Sequence, residues 1–146
     1  MSASRQILVA DSSDTLRRSL ARILRDDGLE VIEVPDGAKA LSEAMLRKPD
    51  LLLLDLSLPL LPIARLVGIL RANPTTKSIP ILFLGEPGQE VPGAEDGVVE
   101  VVCRPFRDED VLARVRAMLT PGPGGGTEEI AADEEGRRKE KEPEMT

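Results

Sequence analysis

A doubly wound α/β fold, with five parallel strands in the spatial order 2-1-3-4-5, is predicted from three features of the sequence. Short, wholly apolar runs recur as ILVA (7–10), LLLL (51–54) and ILFL (81–84), each bounded by polar or turn residues, as expected of strands buried on both faces. Two further extended stretches, LEVIEV (29–34) and VVEVV (98–102), interleave glutamate and suit the open edges of a sheet. Amphipathic helical patterns alternate with these runs, which gives successive βα units joined by right-handed crossovers.

After ILVA, Leu16, Leu20, Ile23 and Leu24 share one helical face, with Ser13 as N-cap, Asp14 in the first turn and Gly28 just past the end. Arg17, Arg18, Arg22 and Arg25 of that helix read as a solvated face rather than a footprint for nucleic acid. A second helix starts at Asp36, turns Leu41, Ala44 and Met45 to one side and stops by Pro49. LLLL then ends on Asp55. A third helix opens with Pro62 in its first turn, presents Ile63, Leu66, Val67 and Leu70, and ends before Asn73-Pro74.

ILFL ends at Gly85, and the helix due next is degenerate. GEPGQEVPGAEDG (85–97) holds two prolines and repeated glycines and is expected to form a loop or one irregular turn. Val111, Leu112, Val115, Met118 and Leu119 mark the last helix. One domain is expected over residues 1–120. Residues 121–146 open with PGPGGG and continue with few apolar and many charged residues, so a linker and a disordered tail are expected there. The glycines lack the Lys and Ser/Thr that would make them a phosphate-binding loop.

The chain has 146 residues, room for one core, and contains no histidine, tryptophan or tyrosine. That removes a histidine base, histidine metal ligands and any Ser-His or Cys-His nucleophile pair. Cys103 is the single cysteine, so no intrachain disulfide forms, and no signal-peptide pattern stands at the N-terminus; a cytoplasmic protein is expected. No apolar run approaches the roughly 18 residues that span a bilayer. Of the net charge of −7, residues Thr120 to Thr146 carry −4, from 8 acidic and 4 basic residues. This balance predicts neither nucleic acid nor membrane as a partner.

In such a sheet, ligands bind beyond the carboxyl ends of the strands, near the switch point between the first and third. Asp11 ends the first strand and Asp55 ends the third, while Gly85 stands beyond the fourth and Arg104 beyond the fifth, just before Pro105. Two neighbouring carboxylates repel, which raises a pKa or recruits a cation. Oxygen ligands suit a hard ion such as Mg²⁺, and Arg104 is placed to meet an anion. The plainer alternative is that both acids cap loops or pair with Arg104. Cys103, beside Arg104, reads as a buried packing residue rather than a reactive thiol.

ILVADSSDTLRRSLARIL, PDLLLLDLSLP, IPILFLG and CRPF resemble, in order and spacing, the landmarks of bacterial two-component response-regulator receiver domains, which share the flavodoxin-like fold. The resemblance implies that Asp55 is the phosphoacceptor served by a histidine kinase. It implies that Asp11, Asp55 and the backbone carbonyl of Ser57 hold Mg²⁺, that Arg104 contacts the phosphoryl group, and that the peptide before Pro105 is cis. The sequence departs from the family pattern elsewhere: Ser12 stands where a second acid is expected, Gly85 where a hydroxyl residue is, Arg104 where lysine is, and Val101 where an aromatic switch residue often lies. Weak or absent Mg²⁺ binding and loss of the usual switching are the expected results.

The function expected is that of a stand-alone, atypical response regulator of a phosphorelay, not an enzyme, signalling by contact with a histidine kinase, another signalling protein or a second copy of itself. A phosphorylation-independent pseudo-receiver is the alternative. An aspartyl-phosphate hydrolase would need a second acid where Ser57 stands, and a flavin carrier would want a Trp or Tyr to cover its ring.

Overall fold

The computed structural model describes residues 4–94 and 99–120. Its strands are β1 (Gln6–Ala10), β2 (Glu30–Val34), β3 (Leu51–Asp55), β4 (Ile81–Gly85) and β5 (Val99–Cys103), all parallel, in the order β2-β1-β3-β4-β5. The helices are α1 (Asp14–Asp26), α2 (Gly37–Arg47), α3 (Ile63–Ala72) and α4 (Asp108–Leu119). Strand order and edge assignments agree with the sequence expectation.

Alternation along the strands divides the core into two layers. Leu8, Ala10, Leu52, Leu54, Ile81 and Phe83 meet Ala40 and Ala44 of α2 and Leu66, Val67 and Leu70 of α3. Ile7, Val9, Leu51, Leu53, Leu82 and Leu84 meet Leu20 and Leu24 of α1 and Val111 and Val115 of α4. With apolar layers on both sides, successive leucines of the central strand point opposite ways and every one is buried.

The helix ends follow local chemistry. The Ser13 hydroxyl accepts from the Leu16 N–H at 3.2 Å, and Asp36 Oδ1 accepts from the Lys39 N–H at 2.7 Å. Lys48 closes α2 in the left-handed region, at φ 47°. Pro62 is the N-cap of α3 rather than a residue of its first turn.

The edges are differently finished. Glu33 of β2 pairs with Arg25 at 2.9 Å and with Arg17 at 3.4 Å, while Glu100 of β5 pairs with Arg114 of α4 at 3.2 Å. Arg17 overturns the reading of the α1 arginines as a solvated face. It is 9% exposed, because it sits three and seven residues before Leu20 and Leu24 on the inward side, whereas Arg18, Arg22 and Arg25 are exposed. Between Gly85 and Ala94 no α-helix forms; the chain turns, with Gly88 at φ 83°, and only Val91 from this stretch packs on the core. Val101 is left 40% exposed and Cys103 exposed as well, which corrects the expectation of a buried cysteine. The rest of the degenerate stretch (95–98) and the expected linker and tail (121–146) lie outside the described residues. Among the described residues no helix is long and apolar enough to cross a membrane.

Candidate functional site

Ala10 of β1 pairs with Leu54 of β3, so the next residues, Asp11 and Asp55, stand side by side at the carboxyl ends of adjacent strands. They are 1% and 8% exposed. Asp11 Oδ1 accepts from the Ser13 N–H at 2.8 Å, but Oδ2 is buried without a hydrogen-bond partner. Burial pushes the Asp11 carboxyl above the usual range, and the charge of Asp55 adds to that, against the opposing Ser13 N–H and the positive Arg104.

A carboxyl raised in this way costs stability while ionised, and the cost fades as pH falls through the raised pKa. Asp11→Asn, which removes the charge, is therefore expected to raise the urea midpoint at pH 7 with the slope unchanged, as measured by circular dichroism. A midpoint below that of the native chain would contradict this account.

Asp55 Oδ1 accepts from the Ser57 N–H at 2.9 Å, and Oδ2 lies 3.8 Å from Arg104 Nη2. The guanidinium is shared with Glu86, 3.6 Å away, and lies over the Phe106 ring, 5.6 Å from its centroid. The Arg104 N–H donates to the Gly85 carbonyl at 2.8 Å, and the Arg104–Pro105 peptide is cis. Arg104 thus reaches the acid from the far edge of the sheet without being used up by it.

Three residues of this region escaped the sequence reading. Arg17 donates to the Asp11 carbonyl at 2.9 Å and to Asp14 Oδ1 at 2.7 Å, holding the loop that carries Asp11 against α1 and β2. Leu56 and Gln89 explain Gly85. A Cβ at that position would lie 2.4 Å from Leu56 Cδ1 and 2.8 Å from Gln89 Oε1, so a hydroxyl residue there would require both side chains to move aside. Gln89 is fixed between two loops: its Oε1 accepts from the Glu86 N–H at 2.8 Å, and its Nε2 donates to Ser57 Oγ at 3.3 Å. The periodicity of α1 could have found Arg17; no sequence pattern marks the other two.

Ser12 is exposed, and Val101 lies opposite Phe83 on the edge strand. Although Cys103 is exposed as a residue, partial desolvation and then the charge of Glu86 push its thiol up, the reverse of an activated cysteine. The unpartnered Asp11 Oδ2 beside Asp55 fits a hard cation. The site is poor in charge for that purpose: among the described residues no group of three or more acidic, Cys or His side chains is assembled for a metal.

Residues 7–116 match the family model described as response regulator receiver domain. The DNA-binding response regulator MtrA of Mycolicibacterium smegmatis is 36% identical over 117 residues, 78% of this chain and 50% of that protein. The transcriptional regulatory protein SrrA of Staphylococcus aureus is 33% identical over 116 residues, 80% of this chain and 48% of that protein. The chain thus spans about half the length of the curated relatives it matches. A solved structure of a putative response regulator from Chloroflexus aurantiacus superimposes with a TM-score of 0.72 at 31% identity, covering 80% of this chain and 98% of that one. On fold and sequence alike, the chain belongs to the receiver-domain family of two-component response regulators.

Proposed function

We propose that Asp55 accepts a phosphoryl group from the phosphohistidine of a histidine kinase, and that the domain passes the signal on by contact with another protein. The observation that carries this reading is the pair of buried strand-end carboxylates, one oxygen of which is unpartnered, facing an arginine 3.8 Å away. An Asp55 oxygen attacks phosphorus. A phosphorus–oxygen bond forms, the phosphorus–nitrogen bond of the donor breaks, and its electron pair returns to the imidazole. Arg104, already divided between Asp55 and Glu86, offers its fork to the arriving oxygens. Asp11, Asp55 and the Ser57 carbonyl would hold Mg²⁺, which when bound neutralises the crowded carboxylates and the phosphoryl oxygens.

Incubation with acetyl phosphate and Mg²⁺ is expected to add one phosphoryl group to the native chain and none to Asp55→Asn, read by intact mass. A second reading, an interaction module that works without phosphate, is favoured by the packing of Leu56 and Gln89 into the space of the missing hydroxyl. Absence of an adduct on the native chain at saturating Mg²⁺ would give that reading precedence.

A further inference from the structure

We propose that the side-chain amide of Gln89 takes over the work of the missing hydroxyl at position 85, donating a hydrogen bond to the phosphoryl group carried by Asp55. The inference rests on Asp55 being the acceptor. Gln89 lies four residues beyond the end of β4, in the turns that replace a helix, and its Oε1 comes within 2.8 Å of where a Cβ of residue 85 would stand. The amide oxygen therefore borders the volume that a serine or threonine side chain would fill, with the NH₂ group on the same carbon turned toward Ser57.

Its orientation is determined by its neighbours. The Glu86 N–H, at 2.8 Å, requires an acceptor, which puts the oxygen on that side and turns the NH₂ group toward Ser57 Oγ, 3.3 Å away. Ser57 in turn donates its backbone N–H to Asp55 Oδ1 at 2.9 Å. One amide proton is directed to Ser57, and the second has no partner among the described residues. Arg104 approaches the other oxygen of Asp55, 3.8 Å from Oδ2. A phosphoryl group on Asp55 would meet a guanidinium and an amide, two donors in place of the lysine and hydroxyl that the receiver pattern leads one to expect. The contact also bridges the loop after β3 to the loop after β4, so occupancy of Asp55 would be felt at residues 86–89.

The test uses the full chain and acetyl phosphate with Mg²⁺, following phosphoryl uptake by intact mass. Acetate leaves with the electron pair of the broken phosphorus–oxygen bond as the Asp55 acyl phosphate forms. Gln89→Glu keeps the oxygen that accepts from Glu86 but replaces the donor by a negative charge; Gln89→Ala removes both. Uptake is expected to fall by about tenfold or more in each variant, the scale of one hydrogen bond to a charged oxygen. The urea midpoint of Gln89→Glu should stay at the native value, separating the contact from a loss of loop structure. Native-like uptake by Gln89→Glu would overturn this inference alone. No uptake by the native chain would overturn it together with the assignment of Asp55.

Discussion

Ser12→Asp is expected to tighten Mg²⁺ binding about ten- to a hundredfold, as isothermal titration calorimetry would show. Unit charges about 4 Å apart at an effective dielectric near 20 interact by roughly 4 kcal/mol, and tenfold in affinity corresponds to about 1.4 kcal/mol, so the predicted gain leaves room for desolvation and screening. Position 12 is exposed, so the new carboxylate carries little burial cost, and Asp11 already holds the Ser13 N–H that could otherwise tie it up. Calorimetry is the suitable method because the chain has no tryptophan or tyrosine to report binding by fluorescence. An unchanged affinity would show that the cation does not sit at the ends of β1 and β3.

The second large effect is steric. Gly85→Thr is expected to destabilise the domain by about 1–3 kcal/mol, because its Cβ would have to displace Leu56 Cδ1 from 2.4 Å. Leu56→Ala alone empties a buried position and should cost about 2–5 kcal/mol. Together the two changes should cost less than their sum by about 1 kcal/mol or more, since threonine enters the space that leucine has left. Urea denaturation of the two single variants and the double variant closes the cycle. Strict additivity would mean that Leu56 does not occupy the place of a side chain at 85.

Much of this was legible because burial on both faces leaves a plain mark. The runs ILVA, LLLL and ILFL can only be central strands, and the glutamates of LEVIEV and VVEVV place those strands at the edges. Strand order then brings Asp11 and Asp55 together without knowledge of any side-chain contact. Arg17 was misread because its residue type argued for solvent while its spacing argued for the interior, and an available Asp11 carbonyl with Asp14 and Glu33 decided for the interior. Leu56 against Gly85, and Gln89 against Ser57, depend on the path of a turn-rich segment, which periodicity does not encode. Cys103 is exposed for a related reason: packing over β5 rests on whatever replaces the expected helix, and the described turns bring only Val91 to the core.

The unequal finish of the two sheet edges has a consequence in time. β2 is latched to α1 by two arginines on Glu33 and by the Arg25 bond to the Val31 carbonyl, and the same Arg17 grips the backbone of Asp11. β5 has Arg114 on Glu100 on one side, with Val101 and Cys103 open to water on the other. Local opening starts where buried apolar contacts are fewest, so breathing should begin at β5. Arg104 follows directly on that strand while Asp11 belongs to the latched side. Each excursion of the edge would carry Arg104 away from Asp55 and leave the two acids where they are, so Asp55 would alternate between a paired and an unpaired state at the rhythm of one strand.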